Sequence, residues 1–309
     1  MSRFSLSGTF TALVTPFTAD GEAVDLPALD ALVEAQIQGG VSGLVPCGTT
    51  GESPTLSDEE QAQVIARGVA VAKGRLPVFA GTGTFSTKKT IEASRAAVAA
   101  GADAVMVVMP YYNKPSQDGM REHVLAIARA VDCPVVLYNI PGRSVVDLSA
   151  ETTERICQAA PNVVGLKDAT GNVLRCQELV SRLGARLTVM SGDDGLTVPM
   201  MAVGARGVIS VSANVRPAAT SAVTTAMLAG DLETARARHF ALLDLHRAMF
   251  LEPNPAPAKA ALAHEGKMQA TLRLPLVPVS DGVRRQVIEA LQRADAAAAA
   301  EGATRAAPG

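Results

Sequence analysis

The chain has 309 residues, 48% hydrophobic and 19% charged, with a formal net charge of −2. That length suits two ordinary domains or one large α/β barrel with an appendage, and the composition is that of a globular protein. The near-zero charge and the lack of any basic run exclude an electrostatic footprint for nucleic acid, and the longest apolar runs are too short to span a bilayer.

Eight strand candidates follow in order: 9–17, 41–48, 77–83, 104–110, 134–140, 163–169, 187–193 and 207–213. They are continuous apolar runs rather than alternating ones, as expected for parallel strands covered on both sides. Helical patterns lie between them, with start signals at Asp25, at Ser57 with Glu60 three residues later, and at Ser149. Glycines end several of these helices, as at Gly39–Gly40 and Gly101. Eight βα units at this spacing predict an α/β fold, a (β/α)8 TIM barrel with a C-terminal helical appendage. A doubly wound dinucleotide-binding sheet is rejected, because its only glycine-rich candidate, 81–86, lacks the third glycine and follows the third strand.

Further helices are expected at about 216–229, 231–250, 258–265 and 281–297, with Pro253, Pro255 and Pro257 between the second and third. The expected organisation is a catalytic barrel over 1–229, a helical appendage over 230–297, and an Ala-rich disordered tail over 298–309.

Active sites of such barrels form where different strands end at one mouth. Strand six delivers Lys167 there, in VVGLKDA. A lysine in an apolar strand is unusual. It is either a desolvated amine nucleophilic toward carbonyl carbons, or a strand-end side chain that reaches solvent or pairs with Asp168. All three tyrosines of the chain lie at two strand ends: Tyr111 and Tyr112 after strand four, Tyr138 on strand five. A phenol there can shuttle protons or simply sit as an amphipathic ring at the rim. Arg143 follows strand five. Strand two ends in GTTGES (48–53), a tight turn with backbone N–H groups and two hydroxyls that suit a small carboxylate. SGDD (191–194) follows strand seven, and its acids read slightly better as helix caps than as mouth residues.

Other candidates lead nowhere. His123, His239, His246 and His264 sit in helical patterns without a ligand cluster, so no metal is expected. Cys47 adjoins the GTTGES turn but has no strand-end histidine to pair with, and the four cysteines lack CxxC spacing. Together with an N-terminus that does not read as a signal peptide, this predicts a reduced, cytoplasmic protein without membrane contact.

GTTGES at 48–53, YYNKPSQDG at 111–119, YNIPGR at 138–143, GLKDATGN at 165–172 and SGDD at 191–194 resemble the 4-hydroxy-tetrahydrodipicolinate synthase (dihydrodipicolinate synthase) family. So do GVISVSANV at 207–215, FLEPNPAPAK at 250–259 and TLRLPLVPV at 271–279. The family belongs to the Schiff-base pyruvate lyases, with N-acetylneuraminate lyase and 2-keto-3-deoxygluconate aldolase. The resemblance implies condensation of pyruvate with L-aspartate 4-semialdehyde, a step of diaminopimelate and lysine biosynthesis, without a cofactor. It implies Lys167 as the Schiff-base amine and a proton relay of Tyr138, Thr49 and Tyr112, the last crossing from a neighbouring subunit of a homotetramer built as two dimers. It further implies that Thr50, Gly192 and Ile209 hold the pyruvate moiety and Arg143 the semialdehyde carboxylate. The alternative is a pyruvate-dependent sugar-acid aldolase, whose relatives lack the matching arginine. A binding barrel without turnover would need no relay. Lysine-inhibited members hold the amino acid with an acidic residue, an asparagine and histidines near the residue matching Tyr111. Here those positions read Lys89, Phe85, Asp58 and Gln61, which predicts insensitivity to lysine.

Overall fold

A computed structural model of the chain describes residues 5–306. Its strands are β1 (Gly8–Ala12), β2 (Gly43–Val45), β3 (Phe79–Gly81), β4 (Ala104–Val108), β5 (Val135–Asn139), β6 (Val163–Asp168), β7 (Thr188–Ser191) and β8 (Gly207–Ser210). All pair in parallel, in the order β2-β1-β8-β7-β6-β5-β4-β3. A single parallel bridge, Leu44 to Val78, brings the two ends of that order together and closes the barrel. The strands are shorter than the apolar runs that announced them, because the ends of those runs leave the ladder to build the mouth.

The helices between strands are α1 (Leu26–Gln38), α2 (Asp58–Ala72), α3 (Thr87–Ala99), α4 (Gln117–Ala130), the single turn α5 (Pro141–Ser144), α6 (Ala150–Ala159), α7 (Val173–Leu183) and α8 (Thr197–Ala202). Side-chain caps start them where the sequence signals them. Asp25 accepts from the Ala28 N–H, Ser57 and Glu60 form a reciprocal capping box, and Ser149 accepts from the Thr152 N–H. Strand residues are buried on both faces. Inward-pointing Phe10, Val45, Phe79, Met106, Val136, Met190 and Ile209 fill the barrel, while a larger apolar layer joins the outer strand faces to the helices.

After β8, α9 (Pro217–Leu228) packs back against β1, followed by α10 (Leu232–Ala248), α11 (Ala256–His264) and α12 (Asp281–Ala306). Helix α12 continues past residue 297, where a disordered tail was expected to begin; alanine is the strongest helix former, and the Ala-rich run extends the helix instead of fraying it. Residues 307–309 of that expected tail lie outside the described residues.

Two ionic clamps fasten these last helices to the barrel. Arg216, at the start of α9, contacts Glu265 after α11 and Asp295 on α12, both at 2.6 Å. Deeper, Lys259 of α11 is fully buried, its Nζ 2.5 Å from Glu52 and donating to the Thr271 carbonyl at 2.9 Å. The same Nζ lies 4.1 Å from the centre of the Phe17 ring, which Arg273 also covers. Burial pushes the Lys259 ammonium down to about 8, against the pull of Glu52.

Replacing Lys259 with Met would strand the Glu52 carboxylate without its cation and is expected to cost about 3–5 kcal/mol. Adding Glu52→Gln removes the orphaned charge and should restore most of that loss. Urea unfolding of both variants measures the difference, and equal stabilities would show that the two charges are not coupled.

Candidate active site

The barrel register lines up Val108, Tyr138, Lys167 and Met190 across β4 to β7. Neighbours in a parallel ladder point to the same face, and Tyr138 and Met190 belong to the inner cluster, so this row faces the barrel interior. Lys167 is only 4% exposed, and its Nζ lies 4.3 Å from the centre of the Tyr138 ring. The next residue, Asp168, points the opposite way. There it pairs with Arg175 at 3.2 Å and accepts from the Thr170 N–H. Among the described residues no carboxylate pairs with Lys167, so neither a solvated strand end nor a Lys167–Asp168 pair describes it.

Beside this row a cavity of about 300 Å³ opens at the C-terminal ends of the strands. Thr49, Tyr111, Tyr138 and Arg143 line it, together with Asn254 and residues 52–55. Arg143 sits on α5, exposed and without an ion pair among the described residues, which leaves its guanidinium free for a carboxylate. Cys47 also lines the cavity, but burial pushes its thiol up to about 12, which keeps it from acting as a thiolate.

The GTTGES turn is more self-contained than its sequence suggests. The N–H groups of Gly51 and Ser53 bond to the Gly48 carbonyl, and that of Glu52 bonds to the Thr49 carbonyl. Its backbone donors without a partner among the described residues therefore narrow to those of Gly48, Thr49 and Thr50. Thr50 is buried behind the lining and takes a hydrogen bond from Asn254 at 3.0 Å. Asn254 falls in the FLEPNPAPAK segment that carries the family resemblance, but nothing in the sequence ties it to this turn.

Gly192 and Ile209 stand at the ends of β7 and β8, outside the lining of this cavity. A Cβ on Gly192 would meet the Ala169 Cβ at 2.6 Å, and its N–H donates to the Asp168 carbonyl at 2.7 Å, so only glycine fits there. Asp193 caps its own short turn by accepting from the Gly195 N–H at 2.8 Å. Asp194 does not cap. Its buried carboxylate accepts from the Ser210 hydroxyl and from the Val211 and Ser212 N–H groups, which secures the end of β8. His246 joins this brace through Ser212 at 2.9 Å, and burial lowers its basicity.

Tyr112 is the one expected relay residue that the single chain leaves outside. It is 88% exposed, whereas its neighbour Tyr111 lines the cavity and packs edge-on against Phe85. Tyr138 and Thr49 share the cavity but exchange no hydrogen bond among the described residues. Lys89, Asp58 and Gln61 gather at a separate cleft between α2 and α3.

An interior, unpaired lysine against a tyrosine at the mouth of a parallel barrel defines a lyase of the class I Schiff-base aldolase type. The comparisons narrow the class. The dihydrodipicolinate synthetase family matches residues 5–294, and the chain belongs to that family. It is 73% identical over 296 residues to a 4-hydroxy-tetrahydrodipicolinate synthase of Sorangium cellulosum, covering 96% of this chain and 98% of the relative. The structure of the 4-hydroxy-tetrahydrodipicolinate synthase of Methylacidiphilum fumariolicum superposes with a TM-score of 0.93 at 41% identity, over 96% of this chain and 98% of that one. The chloride-inhibited dihydrodipicolinate synthase of Acinetobacter baumannii, complexed with pyruvate, gives 0.92 at 44% identity, over 94% and 99%. No helix of the described residues is long and apolar enough to cross a membrane.

Proposed function

We propose that the chain condenses pyruvate with L-aspartate 4-semialdehyde to give 4-hydroxy-tetrahydrodipicolinate, with Lys167 as the amine that carries pyruvate. The observation that carries this reading is the Lys167 amine, buried, without an ion-pair partner among the described residues, and against Tyr138 beside a cavity that Arg143 lines. The amine attacks the pyruvate carbonyl carbon and water leaves, giving an iminium that acts as an electron sink. Loss of a methyl proton makes the enamine, whose carbon attacks the semialdehyde aldehyde and forms the new C–C bond. The amino group of that substrate then adds to the imine carbon and expels Lys167, which regains its free amine. No metal is required to stabilise the carbanion, because the iminium nitrogen takes up the electron pair.

Each remaining role has a physical basis. Tyr138 packs its ring against the Lys167 amine, 4.3 Å from ring centre to Nζ, and its phenol is the group assigned to pass protons to and from the imine, with Thr49 beside it in the cavity. Thr50, Gly192 and Ile209 bound the pyruvate moiety, and the planar guanidinium of Arg143 takes the semialdehyde carboxylate in bidentate fashion. Tyr112 completes the relay in the site of a neighbouring copy, within a homotetramer built as two dimers; its exposed ring supports this assignment. Four free, buried cysteines suit a reducing cytoplasm.

Borohydride added with pyruvate is expected to reduce the imine and leave a 1-carboxyethyl group on the Lys167 nitrogen. Label on Lys259, or on no lysine, would overturn the mechanism. Arg143→Ala is expected to raise the semialdehyde KM and lower its kcat/KM by about 2 kcal/mol or more, while pyruvate trapping persists. Spared semialdehyde turnover with crippled trapping would remove Arg143 from that role. The enzyme is also expected to be insensitive to L-lysine. Where inhibited relatives present an acidic partner to the ligand ammonium, Lys89 opposes it by about 1–4 kcal/mol. Rates measured across rising L-lysine at subsaturating pyruvate decide this, and half-inhibition below about 1 mM would contradict it.

A further inference from the structure

We infer that Asn254 is a positioning residue of the pyruvate site, which sets the Thr50 hydroxyl as a hydrogen-bond donor toward the substrate carboxylate. The inference rests on the proposed use of Lys167 and Thr50, and adds to it a residue from outside the barrel. Asn254 lies between α10 and α11, 204 positions from Thr50 in sequence, yet its Nδ2 donates to Thr50 Oγ1 at 3.0 Å. Both side chains are at least nine-tenths buried, and Asn254 also lines the cavity.

The polarity of that bond decides what Thr50 can do. A threonine hydroxyl has one proton and two lone pairs. An amide N–H occupies a lone pair and cannot take the proton, so the proton must point elsewhere. Among the described residues no group accepts it, and the Thr50 backbone N–H likewise has no partner there. Both donors of Thr50 are thus reserved for an acceptor that the protein does not supply, which is the chemistry of a small carboxylate. A hydroxyl free to rotate would spend part of its time with its lone pairs toward the anion; fixing it by Asn254 removes that repulsive arrangement before the substrate arrives. The other end of the same amide, Oδ1, is buried without a partner in the chain. The Asn254 side chain therefore has no competing protein acceptor role that would account for its burial.

Neighbouring contacts hold the pair in place. The chain that carries Asn254 continues into α11, whose Lys259 is ion-paired with Glu52 two residues after Thr50. Asn254 and Lys259 thus grip the GTTGES turn from one side, the first at a hydroxyl and the second at a carboxylate.

The test uses the borohydride trap with pyruvate alone, read as 1-carboxyethyl label on Lys167 against pyruvate concentration. Asn254→Ala is expected to raise half-saturating pyruvate about three-fold, as for a hydroxyl released to its three staggered positions, with little change in trapping at saturation. Thr50→Val, which removes the hydroxyl donor outright, should produce a larger rise of about ten-fold. In the Thr50→Val background, Asn254→Ala should then add nothing, since the two act through one hydroxyl. Additive effects would overturn the inference, as would unchanged half-saturation in Asn254→Ala. Should Asn254→Ala not fold, the isosteric Asn254→Asp serves in the same cycle. Its carboxylate draws the Thr50 proton away, so it should weaken pyruvate more in the parent than in the Thr50→Val background, and an equal effect in both overturns the inference. A parent enzyme that takes no label on Lys167 would overturn the reading beneath it and the inference with it, whereas a labelled parent with an unaffected Asn254→Ala overturns the inference alone.

Discussion

The ion pair between Glu52 and Lys259 fixes how the barrel and its C-terminal helices meet, and the mouth is built around it. Both charges are withdrawn from water, and such pairs seldom contribute much net stability, because desolvation offsets the attraction. What the pair contributes is position. Glu52 holds a left-handed backbone (φ +54°) at the end of the turn that carries Thr49 and Thr50. It cannot swing out without separating two buried charges. Arg273 extends the restraint: its N–H donates to Glu52, while its guanidinium grips Glu60 in the first turn of α2 with two bonds of 2.6 Å. The strand-two exit, α2, α11 and the segment before α12 are thereby locked to one another around the rim of Phe17.

Within the barrel the decisive constraint is alternation. Strand β6 presents Lys167 inward and Asp168 outward, and the two go to separate electrostatic environments a few ångströms apart. Arg175 satisfies the acid on the helix side, so the amine on the interior side remains free of a counter-ion. A slip of one residue would exchange them and place a carboxylate where the proposed nucleophile stands. The register of β6 with both neighbours opposes that slip, since Leu166 and Val163 must stay in the outer apolar layer.

Much of this was legible in the sequence. Continuous apolar runs identify parallel strands, and the oddity of a lysine in one of them singles out the amine proposed above to carry pyruvate. Arg143 and the tyrosines are found because strand ends converge in this fold. Other features were illegible for definite reasons. Asn254 and Lys259 look like a proline-punctuated linker and an ordinary helical lysine, and only tertiary contact across some two hundred residues reveals what they hold. Asp194 follows a strand in the manner of a helix cap, but its three donors come from β8 and the residues just after it, which no local pattern announces. The GTTGES turn reads as a row of open N–H groups, yet three of its donors close the turn on itself.

Tyr111 and Tyr112 show the same limit from the other side, since adjacent identical residues have opposite fates. Tyr111 is half-buried at the cavity, and burial raises its phenol above the ordinary value. Tyr112 is exposed and adopts φ +70°, a left-handed conformation that costs a side-chain-bearing residue about 1–2 kcal/mol. The loop tolerates this because Asn113 anchors it, donating from its side chain to the Phe85 carbonyl at 3.1 Å and from its backbone to the Tyr111 carbonyl at 2.8 Å. For a lone chain, a strained backbone that holds an aromatic ring in water is unfavourable on both counts. The two costs have a common rationale if the ring is presented to a second copy, where burial of the ring offsets the strain and its hydroxyl enters the neighbour's relay.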